Sequence, residues 1–290
     1  MNAPTITALA PWFGGKRNLA ADIVAELGPH VGYWEPFCGS MSVLLNKPRA
    51  SHERVNDLHG DLVNLARVIQ SADGPKLYRR LRRVLFSEQQ LTDSWERLQA
   101  ECESPLERAF DYFVVSWFGR NGVSGTSDTI HKPGVRYTTG GGHEGVRWNS
   151  AVQSIPAWRK RLQAVTILCR DAFEIIERID DAGDTAIYCD PPYLVKKGNY
   201  VHDFSDADHE RLAALLERFH AARVVVSYYD HERLDGLYSG WTKRTFDVAK
   251  SMAHGQLGNR GENSTRAVEV LLMNGPSYAE TRHPLFAESP

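Results

Sequence analysis

Short apolar blocks alternate with helical patterns at both ends of the chain, whereas its middle carries apolar residues at helical spacing alone. Tyr33-Trp34-Glu35-Pro36-Phe37 reads as a strand that passes through Cys38-Gly39-Ser40 into a helix from Met41 to Asn46. A second strand, Glu53 to Asn56, ends in Asp57 and leads to an apolar stripe at Leu62, Leu65, Ala66 and Ile69. Between roughly Leu58 and Ser150 the strand signals stop. Ser104-Pro105-Leu106-Glu107 combines a capping box with proline at the first helical position, and Phe110, Phe113, Val114 and Trp117 follow at helical spacing. That stripe reads as core rather than as a platform for stacking bases. From Gly119 to Gly145 the chain is rich in Gly, Ser, Thr and Asn. This stretch exceeds the ~12 to 15 residues at which structureless loops become uncommon, so it is either disordered or functional.

Strand signals resume at Val165 to Leu168, Thr185 to Cys189 and Arg223 to Tyr229, with a helix from about Ser205 to Ala222 striped by Leu212, Leu215, Leu216 and Phe219. Two late strands, near Arg244 to Val248 and Ala267 to Met273, flank a stretch containing Gly255, Gly258 and Gly261 and read as an antiparallel edge pair. The pattern predicts an α/β fold, a mostly parallel Rossmann-like sheet with that edge pair, built from residues 1–57 and 151–290. Residues 58–150 then form an inserted, mainly helical domain.

Composition adds limits. A chain of 290 residues, 42% of them hydrophobic, can bury a sizeable core unaided. Cys38, Cys102, Cys169 and Cys189 form no C-x-x-C pair, which fits a reducing cytoplasm. Met1 to Ala10 lacks a basic leader with a long apolar core, and no run reaches the ~18 apolar residues of a membrane span. The expected location is therefore cytoplasmic. The net charge of -2 conceals an asymmetry: residues 76–161 hold 14 Lys and Arg against 9 Asp and Glu, which leaves the remainder near -7. Arg79, Arg80, Arg82 and Arg83 crowd into one stretch, and Arg159, Lys160 and Arg161 into another. Charge alone fits a solvated helix face as well as contact with phosphates.

Chemistry concentrates in Asp190-Pro191-Pro192-Tyr193, directly after an apolar strand, where parallel sheets collect ligands. The two prolines restrict the backbone, so that a carboxylate, a carbonyl and an aromatic face stand in a nearly fixed relation. A planar aromatic amine could donate to Asp190 and to the Pro191 carbonyl while its ring stacks on Tyr193. Glu35 to Ser40 is a strand-to-helix glycine turn at which a ligand can approach the backbone of Gly39. Asp57, about 20 residues on, closes the next strand as ribose-binding acids do, although a helix cap remains open to it. Pro11-Trp12-Phe13-Gly14-Gly15-Lys16-Arg17 lacks the spacing of a P-loop. Asp171-Ala172-Phe173 offers an acceptor and a ring.

Together these elements resemble the Dam-like family of N6-adenine DNA methyltransferases. Pro11 to Arg17 looks like its N-terminal cofactor motif, Glu35 to Gly39 its glycine turn and Asp190 to Tyr193 its catalytic motif, with the long target-recognition insertion between. The resemblance implies a methyltransferase sheet that binds S-adenosylmethionine, with Trp12, Lys16, Glu35, Phe37 and Gly39 around the methionyl half and Asp57 on the ribose. Asp171 and Phe173 would serve the adenine of the cofactor, and Asp190, Pro191, Pro192 and Tyr193 the target base. The sulfonium makes the electrophile, so no metal is implied. The partner implied is double-stranded DNA, with no membrane and no obligatory protein partner; Arg79, Arg80, Arg82, Arg83, Arg120, Asn121, Arg136 and Arg147 are candidates for contacting it. The glycine turn, Phe-Cys-Gly-Ser-Met, has fewer small residues than many relatives show, and Ala172 separates Asp171 from Phe173. The rival activities are N4 methylation of cytosine, which the leading Asp disfavours, and non-catalytic DNA binding on the same scaffold.

Overall fold

In a computed structural model, which describes residues 6–12, 14–101, 103–119, 144–194, 204–249 and 266–281, the apolar runs become one seven-stranded sheet. After a 3-10 turn at Lys16–Asn18, α1 (Ala20–Leu27) leads to β1 (Gly32–Glu35), α2 (Ser42–Asn46), β2 (His52–Asn56) and α3 (Gly60–Gln70). Four helices follow: α4 (Gly74–Leu81), α5 (Glu88–Gln99), α6 (Pro105–Phe118) and α7 (Glu144–Leu162). The chain re-enters the sheet with β3 (Val165–Leu168), α8 (Ala172–Glu177), β4 (Thr185–Cys189), α9 (Asp206–Glu217) and β5 (Arg223–Tyr229). It closes with α10 (Leu234–Leu237), the antiparallel pair β6 (Thr242–Ala249) and β7 (Arg266–Met273), and α11 (Tyr278–Thr281).

The strand order is β3-β2-β1-β4-β5-β7-β6, parallel through β5 and antiparallel beyond it. The chain winds outward from β1 to β3 and then returns to β4 on the other side of β1. The direction of winding thus reverses between β1 and β4, and such a switch point opens a crevice beyond the carboxyl ends of the two strands. Strands covered on both faces read as continuous apolar runs, as Ala186 to Cys189 and Val224 to Val226 do.

The aromatic stripe of α6 is core: Phe110, Phe113, Val114 and Trp117 are all buried. Trp117 donates its indole N–H to the Leu9 carbonyl at 3.1 Å and Trp158 of α7 donates to Ile6 at 2.7 Å, so these helices fix the N-terminal segment. Ser104 caps α6 by accepting from the Glu107 N–H, while the Glu107 carboxylate turns to Arg80. α6 packs on α3 and α5, and α7 runs across position 150, where the sequence pattern ends the insertion. The Gly-rich stretch after Gly119 and the segment with Gly255, Gly258 and Gly261 lie outside the described residues.

Candidate active site

The glycine turn and the Asp190 tetrapeptide meet at the β1/β4 switch. Glu35 ends β1 and Asp190 follows β4, and a narrow cleft is lined by Trp12, Lys16, Glu35, Phe37, Gly39 and Asp190, among others. Gly39 lies at φ +42°, and a Cβ there would fall 2.9 Å from Nε1 of Trp12, so the turn tolerates only glycine without movement. Met41, two residues on, is buried at φ 59°, a left-handed conformation that costs a side-chain-bearing residue free energy. Asp57 fastens the turn: its Oδ2 accepts from the Gly39 N–H at 2.8 Å and its Oδ1 from the His59 N–H at 2.9 Å. The cap of α3 is His59, whose ring accepts from Leu62 N–H, and not Asp57.

Glu35 is buried and accepts from the Tyr33 hydroxyl at 2.9 Å. Burial pushes its carboxyl up from 4.5 to about 8, against the lowering effect of that hydrogen bond. A neutral carboxylic acid therefore faces the cleft at neutral pH.

Lys16 joins the N-terminal motif to the tetrapeptide. Its Nζ lies 2.8 Å from Asp190 Oδ1, donates to the Gly14 carbonyl at 2.8 Å and to the Tyr193 hydroxyl, and stands 3.9 Å from Glu269 Oε2. The side chain is buried, and desolvation opposes its charge, yet the carboxylates of Asp190 and Glu269 hold its pKa above the usual lysine value. Asp190 Oδ1 also accepts from Ser227 Oγ at 2.8 Å. Tyr193 is 8% exposed, and its ring centroid lies 4.3 Å from that of Tyr229.

Asp171 and Phe173, expected on the adenine side, are engaged within the protein. Asp171 caps α8 by accepting from the Phe173 and Glu174 N–H groups at 2.7 and 3.4 Å. Phe173 is buried and stacks on Phe204 at 5.8 Å, with the Arg211 guanidinium 4.2 Å from its ring. Phe204 also meets Phe37 edge-on at 5.9 Å. Neither Asp57, Asp171 nor Phe173 is among the residues lining the cleft.

A family model for the D12 class N6 adenine-specific DNA methyltransferases matches residues 12–252, a span holding the N-terminal motif from Trp12 onward, the glycine turn and the Asp190 tetrapeptide. The chain belongs to that family. Relatives similar over nearly the whole length include the retron Ec67 DNA adenine methylase of Escherichia coli, 25% identical, with 93% of this chain and 92% of the relative covered. The DNA adenine methylase of Vibrio cholerae serotype O1 is also 25% identical, over 93% of this chain and 96% of its own. Among solved structures, the rRNA methyltransferase aviRa of Streptomyces viridochromogenes is 16% identical, with 99% of this chain and 91% of that chain covered and a TM-score of 0.37.

In the methyltransferase the basic cluster divides. Arg79, Arg82 and Arg83 are exposed, the last two just past the end of α4. Arg80 is held by both carboxylate oxygens of Glu107 and lies 4.5 Å from the Phe110 ring, so its charge is already matched. Arg147 is exposed on α7; Arg120, Asn121 and Arg136 lie outside the described residues. No helix of the described residues is long and apolar enough to cross a membrane. Four residues at the methyltransferase site carry no signal in the chain's motifs: Tyr188, Ser227, Tyr229 and Glu269. Ser227, Tyr229 and Glu269 reach the site through strand pairing, whereas Tyr188 stands on β4 two residues before Asp190. Phe204 was equally silent, because its role lies in contacts with two rings distant in sequence.

Proposed function

We propose that this adenine-specific methyltransferase takes its methyl group from S-adenosylmethionine bound at the β1/β4 cleft and delivers it to N6 of an adenine turned out of duplex DNA. The observation that carries this reading is the meeting of Trp12, Lys16, Glu35, Phe37, Gly39 and Asp190 on one cleft. The cleft suits that cofactor: a buried carboxyl matches an amino-acid ammonium, and the glycine turn lines the cleft beside it with the Trp12 indole packed on Gly39. When bound, the cofactor would supply an electrophilic methyl group. Trp12, Glu35, Phe37 and Gly39 would hold its methionyl half, Asp57 its ribose, and Asp171 with Phe173 its adenine.

The protein's task is to make a poor nucleophile competent. An exocyclic adenine amine has its lone pair delocalised into the ring, and acceptors on its two hydrogens favour the pyramidal nitrogen that can attack. Asp190 and the Pro191 carbonyl are those acceptors, while Pro192 stiffens the turn. A duplex hides N6, so the adenine must leave the stack, with Tyr193 replacing the lost stacking. That requires Tyr229 to yield, because its ring lies against Tyr193.

Purified protein incubated with labelled S-adenosylmethionine and duplex DNA, followed by sequencing that reports modified bases, tests this reading. N6-methyladenine within a fixed sequence is expected. N4-methylcytosine would transfer the site to the rival activity, and no label to the non-catalytic one.

Glu35 provides a proton count. Its carboxyl is protonated below its raised pKa of about 8, and an ammonium beside it would favour the ionised form. Cofactor binding at pH 6.5 should therefore release about one proton, visible in calorimetry as a binding heat that varies with the ionisation heat of the buffer. Raising the pH towards 8 should tighten binding through this group, and Glu35→Gln should remove the dependence. A heat independent of buffer in the parent would take Glu35 away from the ammonium.

DNA contact is assigned to the insertion, through Arg79, Arg82, Arg83 and Arg147, and through Arg120, Asn121 and Arg136. Replacing Arg79, Arg82 and Arg83 by Ala should flatten the log-log salt dependence of DNA binding by about 0.9 for each true phosphate contact. Arg80→Ala should leave the slope unaltered, since Glu107 already neutralises it. An equal change from Arg80→Ala would mean that the ion pair opens on DNA.

A further inference from the structure

Among the described residues Asp190 is held by one oxygen only. Oδ1 takes the Ser227 hydroxyl at 2.8 Å and the Lys16 ammonium at 2.8 Å. Among the described residues no hydrogen bond reaches Oδ2, and the side chain is 20% exposed, so one edge of the carboxylate is anchored inside and the other remains open. Ser227 is fully buried on β5. Behind it, the Tyr188 hydroxyl on the adjacent strand β4 lies 2.8 Å from Ser227 Oγ.

The direction of these bonds follows from proton counting. An ionised carboxylate only accepts, so the single Ser227 proton points to Asp190. The Tyr188 hydroxyl must then donate to Ser227, and burial keeps it protonated by raising its pKa well above the usual tyrosine value. The chain Tyr188 to Ser227 to Asp190 thus has one consistent orientation, with every proton directed at the carboxylate.

Taking the proposed amine-acceptor role of Asp190 as given, we infer that Ser227, oriented by Tyr188, is a positioning residue that locks Oδ1 and so selects Oδ2 as the acceptor for the substrate amine. Free rotation of the carboxylate would spread the acceptor over several positions. Two donors on one oxygen, from β5 and from the N-terminal motif, restrict it to one. Lys16 supplies the charge-assisted bond, and Ser227 supplies the second point that fixes the plane.

Single-turnover methyl transfer by Ser227→Ala, with cofactor and DNA affinity measured alongside, tests the inference. The rate should fall about 10-fold to 100-fold, the range seen when a hydrogen-bonding partner that orients a functional group is lost, while both dissociation constants stay within about twofold of the parent. Ser227→Thr, which retains the hydroxyl, should recover most of the rate. Tyr188→Phe keeps the ring and frees the Ser227 proton to rotate, so a smaller loss is expected; it decides the matter if Ser227→Ala fails to fold. A crystal structure of Ser227→Ala should show the Asp190 carboxylate rotated or split between orientations, and this readout holds even if the parent methylates no DNA. An unchanged rate in Ser227→Ala, or a loss that tracks melting temperature and is not restored by Ser227→Thr, would overturn the assignment. An unmoved Asp190 in that crystal would do the same.

Discussion

Asp190→Ala is expected to reduce single-turnover methyl transfer on the order of 10³-fold, the upper range for losing one preorganised hydrogen-bonding group, while cofactor and DNA still bind. Folding should survive, because Lys16 retains the Gly14 carbonyl, the Tyr193 hydroxyl and the carboxylate of Glu269. Tyr193→Ala should fail differently. It leaves the acceptor in place and removes an aromatic face of the kind worth about 1 to 3 kcal/mol per stacked base, so fewer adenines would occupy the pocket. A target adenine opposite a mismatch or an abasic site is cheaper to extrude, and should rescue Tyr193→Ala far more than Asp190→Ala. Equal rescue of the two variants, or substantial transfer by Asp190→Ala on ordinary duplex, would contradict these roles. The Tyr193 arm carries a structural complication, since its ring packs on Tyr229 and its hydroxyl accepts from Lys16. Tyr193→Phe separates these effects by keeping the ring and removing the hydroxyl that accepts from Lys16.

Sequence pattern reached the central strands because each is a short, mostly apolar run that can be read without knowing what lies beside it. β3, β4 and β5 span the residues that the pattern assigns to them. The tetrapeptide and the glycine turn were legible for the same reason, each being contiguous with a strand end. What pattern cannot encode is which strands lie side by side. Ser227 points to Asp190 because β5 pairs with β4, and Glu269 reaches Lys16 because β7 inserts between β5 and β6. Arg80 shows the converse failure. Within its own stretch it is one of four equivalent arginines, and only the packing of α4 against α6 gives it Glu107 and removes it from the free positive charge. Asp171 and Phe173 were legible as an acceptor and a ring, but not as a helix cap and as half of a stack with Phe204.

Lys16→Met tests the electrostatics of the same centre through stability. The ammonium is buried between Asp190 and Glu269, and among the described residues Glu269 Oε2 is itself buried with no hydrogen-bond partner. Removing one member of a buried charge pair commonly costs about 3–5 kcal/mol, because the remaining charge is left desolvated. Here the cost should fall towards the lower end, since Asp190 is partly exposed and retains Ser227. The two carboxylates then respond differently to pH. Burial and Asp190 already raise the Glu269 pKa, and Lys16 is the influence that lowers it. Without Lys16 the Glu269 pKa must rise further above its unfolded value. A carboxyl shifted upward contributes stability at low pH and loses it as pH climbs through the folded-state pKa. The deficit of Lys16→Met relative to the parent should therefore be small near pH 5 and grow towards pH 9, as measured by urea unfolding at several pH values. Glu269→Gln added to Lys16→Met should remove most of that growth, because the amide carries no charge to bury. A deficit independent of pH would mean that the loss of Lys16 acts through packing around Tyr193 and not through the charge it leaves on Glu269.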